Sequence, residues 1–167
     1  MRTIVVASDA PSVRAEVTAV IDDGDTTVVA LASGAEVAAA VAEHHPDLVI
    51  VDLQMGNMGG MAVCLDLQLE ASYGALPDVP VLMLLDRRAD VFLARRSAAD
   101  GFVVKPLDPI RIRQAVAAVL AGGTYFDESF QPLPLQTPAT SGTDLLPSGT
   151  AAPPDVSAAA AAGTTGS

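Results

Sequence analysis

Five short runs of consecutive apolar residues, most of them β-branched, punctuate the first two thirds of the chain, and stretches with helical spacing separate them. The runs are Arg2 to Ala7, Thr26 to Ala30, Asp47 to Asp52, Val81 to Leu85 and Gly101 to Val104. They show no regular polar alternation, which predicts strands buried on both faces, as in a parallel sheet covered by helices. After Pro11, which suits a first helical turn, Val13, Val17, Val20 and Ile21 recur at helical spacing. Asp22-Asp23-Gly24-Asp25 reads as a turn, and Ser33-Gly34 opens an Ala-rich helix that runs to about Glu43. From Met61 to Glu70 the apolar residues Val63, Leu65, Leu67 and Leu69 are ambiguous in period, and the alternation of elements favours a helix. Arg87 to Ala99 reads as a helix that buries Val91, Phe92 and Ala94. Asp108-Pro109 starts a last helix with Ile112, Val116, Val119 and Leu120 on one face, and Gly122-Gly123 ends it. Five strand–helix units in series predict an α/β doubly wound parallel sheet with right-handed crossovers.

Composition divides the chain at about residue 122. Residues 1–122 are rich in Val, Leu, Ile and Ala and can bury a core. Residues 123–167 are of low complexity, and six of the twelve prolines lie beyond Gln131, so this part is expected to be disordered. Within it, Thr124 to Phe130 carries the last aromatic residues and could pack back on the domain as an extension. Cys64 alone provides no disulfide framework. The N-terminal apolar run is too short for a secretory leader and no run approaches a membrane span, so a soluble, cytoplasmic protein is expected. His44-His45 lacks a Cys partner and sits where a helix C-terminus favours His, so zinc is not expected.

A net charge of −11 argues against direct nucleic-acid binding. Seven of the nine basic residues nevertheless fall between Arg87 and Arg113, with only Asp90, Asp100 and Asp108 as acids among them. Arg87, Arg88, Arg95, Arg96, Arg111 and Arg113 are thus either a docking face for an acidic partner or a solvated helix surface.

In a sheet of this topology ligands bind at the C-terminal edge of the strands. Strand one delivers Asp9 there, strand three Asp52 and strand five Lys105. Two carboxylates brought together repel unless a proton or cation intervenes. Oxygen donors without His or Cys suit Mg²⁺. An Asp, a magnesium ion and a Lys are what an aspartyl-phosphate site requires, namely a carboxylate nucleophile with cations for the phosphoryl oxygens. The simpler alternative is that each Asp caps the helix that follows it.

Ile4-Val5-Val6-Ala7-Ser8-Asp9, Asp47-Leu48-Val49-Ile50-Val51-Asp52, Met58-Gly59-Gly60, Pro80-Val81-Leu82-Met83-Leu84 and Gly101-Phe102-Val103-Val104-Lys105-Pro106 together cover all five strands in order. On these segments the chain from about Thr3 to Ala121 resembles the receiver domain of bacterial two-component response regulators. The resemblance implies a flavodoxin-like fold with strand order 2-1-3-4-5 and a signalling protein rather than an enzyme. It matches Asp52 to the phosphoacceptor, Asp9 to a direct Mg²⁺ ligand, the Gln54 carbonyl to the remaining protein ligand and Lys105 to the lysine that contacts the phosphoryl group. It implies a histidine kinase or phosphotransfer protein as phosphate source. No effector segment is recognisable after the receiver, so the expected output is a contact with an unidentified downstream protein, or with a second copy.

Several positions depart from the family pattern. Ser8 replaces the first of two adjacent acids and can hold only a metal-bound water, so weaker Mg²⁺ binding is expected. Leu85 stands where a switch Thr or Ser is usual and has no hydroxyl to offer a phosphoryl group. Asp86 follows it. Its carboxylate could repel phosphate, replace missing acidity or, the preferred reading, cap the arginine-rich helix. Gly56 replaces a common Pro, and Phe102 keeps the switch aromatic. Two functions stay open on these residues: a receiver phosphorylated at Asp52, and a phosphate-independent interaction module that has kept only the fold.

Overall fold

Alternation of side chains along a strand lets one apolar run serve two cores at once, and here it does so on every central strand. In a computed structural model, which describes residues 1–129, the elements follow in the order β1 (Arg2–Ala7), α1 (Pro11–Ile21), β2 (Thr26–Leu31), α2 (Val37–His44), β3 (Leu48–Asp52), α3 (Gly60–Ser72), β4 (Val81–Leu85), α4 (Val91–Arg96), β5 (Gly101–Val104), α5 (Pro109–Leu120) and β6 (Tyr125–Phe126). All strand pairs are parallel, in the order β2-β1-β3-β4-β5-β6. The predicted flavodoxin-like order 2-1-3-4-5 is therefore present, extended by a two-residue sixth strand from the aromatic segment after α5.

Val49, Val51, Met83 and Leu85 face the core shared with α2 and α3, together with Val41, Val63, Cys64 and Leu67. Leu48, Ile50, Leu82 and Leu84 face the opposite core under α1 and α5, with Val17, Ile112, Val116 and Val119. Every residue of β3 and β4 is buried. Burying each of these large side chains removes apolar surface from water on the order of 1.5–3 kcal/mol apiece. The sheet is thus a rigid platform whose C-terminal edge carries the loops.

The helix expected over Met61 to Glu70 forms as α3, whereas the arginine-rich one differs from expectation. In α3 the buried residues are Val63, Cys64 and Leu67, whereas Leu65 and Leu69 are exposed. The helical period, and not the alternating one, selects which leucines reach the core. The predicted helix from Arg87 to Ala99 is shorter and broken, with a 3₁₀ turn over Arg88–Asp90 before α4. That turn rotates Phe92 outward, so Ala94 is buried but Phe92 is exposed, with the Arg96 guanidinium 5.4 Å from its ring centroid. The cation gives the exposed ring a partner.

Candidate functional site

The C-terminal edge collects the ends of β1, β3, β4 and β5 because parallel strands all point the same way. β1 ends at Ala7, which pairs with Val51 of β3, so Ser8 and Asp52 emerge side by side. Asp52 is the last residue of β3 and is 1% exposed. Gly60 explains how α3 can start against that strand end, since a Cβ there would lie 2.8 Å from the Asp52 carbonyl oxygen.

The buried Asp52 carboxylate is fully engaged. Lys105 Nζ donates to Oδ1 at 3.0 Å and to Oδ2 at 2.8 Å. Ser8 Oγ donates to Oδ2 at 2.9 Å and itself accepts from the Ala10 amide at 3.2 Å. The Gln54 amide lies 3.4 Å from Oδ1. Asp9 is exposed, and its Oδ2 accepts from the Gly56 amide at 2.9 Å, which ties the loop after β3 to the end of β1. Neither Asp9 nor Asp52 caps a helix: α1 has Ala10 and α3 has Gly59 as N-cap, neither with a capping side-chain bond. The capping alternative for these two aspartates therefore fails.

Asp86 corrects the sequence reading. The expected capping bond to the arginine-rich segment is absent, because the residue before the 3₁₀ turn is Arg87 and it makes no side-chain cap. Asp86 instead accepts from Lys105 Nζ at 3.0 Å. β5 lies beside β4 in the sheet, so the Lys105 side chain rises between Asp52 and Asp86 and bridges them. Burial pulls the Lys105 pKa down, but the bonds to Asp52 and Asp86 outweigh it, and the net shift is above the usual lysine value.

Leu85 is fully buried in the same apolar core as Phe102, which is 2% exposed. Phe126 of β6 stacks on Phe102 at a centroid distance of 5.4 Å. Of the three positions that the resemblance matches to the switch, Leu85 and Phe102 are thus inside the core and Asp86 is exposed, and Phe102 lies against a strand that the expected five-stranded sheet lacks.

The six arginines do not form one surface. Arg87 pairs with Asp90 at 3.3 Å, and Arg95 and Arg96 lie over the rings of Phe126 and Phe92. Arg111 turns inward to Asp127 at 2.6 Å, and Arg113 donates to the Val20 carbonyl at 3.1 Å. Three residues unmarked by sequence reasoning also matter. Arg14 donates to the Ser8 carbonyl, bracing the end of β1 from α1. Asp127 and Ser129 bind Arg111. A basic residue in the first turns of α1 and an acid next to the last aromatic pair were the available signals.

Among the described residues no group of three or more His, Cys, Asp or Glu side chains is arranged to hold a metal. The side-chain oxygens at this edge are those of Asp9, Asp52 and Ser8, and the Gln54 carbonyl is the further ligand that the resemblance implies. All are hard oxygen donors, a chemistry that fits Mg²⁺ with several waters retained. Receiver domains typically bind Mg²⁺ at such an acidic pocket.

Comparison with known proteins agrees with this geometry. Residues 4–117 match the response regulator receiver domain model. The DNA-binding response regulator MtrA of Mycolicibacterium smegmatis is 33% identical over 120 residues, which are 71% of this chain and 49% of MtrA. Protein PilH of Pseudomonas aeruginosa is 26% identical over 122 residues, 73% of this chain and 100% of PilH. The chain thus spans about half the length of the first relative and all of the second. The signal receiver domain of the response regulator NarL from Mycobacterium tuberculosis superposes with a TM-score of 0.62 at 30% identity, covering 72% of this chain and 97% of that one. The chemotaxis protein CheY4 of Vibrio cholerae shares the fold at a TM-score of 0.62 and 24% identity, covering 70% and 97%. No helix among the described residues is long and apolar enough to cross a membrane. With the sheet order, the buried Asp52–Lys105 pair and the match over residues 4–117 in agreement, this chain belongs to the response regulator receiver domain family.

Proposed function

We propose that the protein accepts a phosphoryl group on Asp52 from a histidine kinase or phosphotransfer protein and signals through contact with another protein. The observation that carries this reading is the 1% exposed Asp52 carboxylate, held by Lys105 Nζ at 2.8 and 3.0 Å. In the transfer, an Asp52 oxygen attacks phosphorus, the new P–O bond forms as the donor's P–N bond breaks, and the electron pair stays on the departing imidazole nitrogen. Lys105 then moves its ammonium from the carboxylate to the phosphoryl oxygens, where negative charge accumulates. Bound Mg²⁺ would supply further positive charge there. Asp9, Asp52 and the Gln54 carbonyl would hold it, with Ser8 acting through a water. Stand-alone use of the receiver, without an attached effector, is part of the proposal, and the end-to-end match with PilH supports it.

A second reading has specific support. Leu85 is buried in apolar surroundings and Asp86 competes for Lys105, so the domain could act as a phosphate-independent interaction module. Intact-protein mass after incubation with acetyl phosphate and Mg²⁺ separates the two. One added phosphoryl group, absent in Asp52→Asn and without metal, is the expected result. An unchanged wild-type mass would sink the phosphoacceptor reading.

The output surface we propose is the exposed part of the arginine-rich segment: Arg88, Arg95, Arg96 and the ring of Phe92, 62% exposed. Cations around an exposed aromatic suit an acidic partner with an apolar anchor. The Arg95→Glu, Arg96→Glu double variant should take phosphate from acetyl phosphate at the normal rate and bind its downstream protein at least tenfold more weakly. Equal binding by variant and wild type would move the output elsewhere.

A further inference from the structure

The segment after α5 does more than lengthen the sheet. Tyr125 and Phe126 pair with Gly101 and Phe102 of β5, and the Asp127 amide donates to the Phe102 carbonyl at 3.2 Å. Gly101 makes room for this approach, since a Cβ there would stand 2.7 Å from the Tyr125 carbonyl oxygen. The strand ends in a buried carboxylate. Asp127 Oδ2 accepts from the Val104 amide at 3.0 Å and from Arg111 Nη1 at 2.6 Å. Its Oδ1 accepts from the Ser129 amide at 3.1 Å and from the Ser129 hydroxyl.

Arg111 completes the arrangement from α5. Its Nη1 also donates to the Val104 carbonyl at 3.3 Å, and its Nη2 donates to the Pro106 carbonyl at 2.8 Å. One ion pair, buried at its Asp127 end and partly exposed at Arg111, therefore holds the amide and carbonyl of the residue before Lys105 and the carbonyl of the residue after it. These bonds run to the backbone on either side of Lys105. A buried salt bridge is weak evidence for stability, because desolvation offsets much of the attraction. Fixing one local geometry is a use that matches where these bonds fall. A long, flexible lysine can bridge two acceptors only if its backbone root is held, and a misplacement of about 1 Å is enough to spoil such a contact.

We propose that Arg111 and Asp127 are positioning residues that set Lys105 against Asp52, so that the strand after α5 is a working part of the phosphoacceptor site. The functional half of this statement rests on the reading of Asp52 as phosphoacceptor; the clamp on Lys105 stands on geometry alone.

Lys105 is the single lysine of the chain, so lysine-selective ¹⁵N labelling of the full protein gives one side-chain ammonium signal. In the metal-free wild type its exchange with water should be slowed by the bonds to Asp52 and Asp86. In Asp127→Ala, and to a lesser degree in the isosteric Asp127→Asn, exchange should quicken severalfold while amide protection in β1, β3 and β4 is unchanged. If the alanine variant fails to fold, the asparagine variant carries the measurement. In parallel, the rate of Asp52 phosphorylation by acetyl phosphate and Mg²⁺ is measured in a double-mutant cycle with Lys105→Met. Asp127→Asn should slow the reaction about tenfold when Lys105 is present and not at all when it is absent. A role in general stability would slow both backgrounds alike, and that result, or unaltered ammonium exchange, overturns the proposal. A wild type that takes no phosphate while the ammonium still responds to Asp127 overturns the phosphoacceptor reading and leaves the clamp standing.

Discussion

Lys105→Met is expected to cost about 2 kcal/mol of folding stability at neutral pH and to slow phosphorylation of Asp52 about 100-fold. Two effects underlie the first figure. Removing the ammonium strands the Asp52 carboxylate, 1% exposed, with only the Ser8 hydroxyl and the Gln54 amide as donors. It also leaves Asp86 as a second carboxylate without the cation they shared. Loss of one partner from a fully buried pair costs about 3–5 kcal/mol. The lower figure is used because the Lys105 side chain is 19% exposed and Asp86 more so. Urea unfolding of the two proteins at several pH values tests it. The folded-state pKa of Lys105 lies above its unfolded value of 10.5. Its contribution is therefore complete from neutral pH up to about 10.5 and is lost as pH rises through the folded-state value. The difference between wild type and variant should be flat from about pH 6 to about pH 9 and shrink only in strong alkali. A difference that grows between those neutral values would mean that another group sets the effect.

Leu85→Thr, which restores the hydroxyl usual in the family, should destabilise the domain by about 3 kcal/mol rather than restore a switch. Leu85 is 0% exposed and packs in the core that holds Val51, Met83 and Phe102. Threonine removes methyl groups from that core and places a hydroxyl within it. Phe102 is also held under Phe126, so the aromatic has a second reason not to move. Denaturant midpoints read the effect directly. A threonine variant as stable as the wild type would show that the end of β4 already tolerates a polar side chain, and would reopen the ordinary switching movement.

Both predictions turn on residues whose neighbours are separated by long stretches of chain, and this marks the limit of sequence reading. The five strands are legible because burial on both faces leaves apolar runs with nothing polar to interrupt them, as Leu48 to Val51 and Val81 to Leu85 show. Asp52 and Lys105 are legible as neighbours because parallel strands in a known order bring their C-terminal ends to one edge. Asp86 is misread because a local rule, capping of the next helix, competes with a partner on another strand, and the partner wins. Phe92 is misread because a 3₁₀ turn changes the phase of α4 by less than sequence spacing can register. Arg111 looks like its basic neighbours in a count of charges, yet its place on α5 aims it at a buried carboxylate.

Hydrophobic pattern alone determines the strand–helix alternation, the parallel doubly wound class and the edge where chemistry is available, since period and burial are properties that each segment carries by itself; the strand order is implied only by the family resemblance. Tertiary structure alone decides which carboxylates share Lys105, which arginines face solvent, and that two residues past α5 join the sheet. Those outcomes depend on distances between elements: a two-residue strand has no periodicity to reveal it, and only the space left by Gly101 and the pairing of the buried Asp127 with Arg111 give it a place.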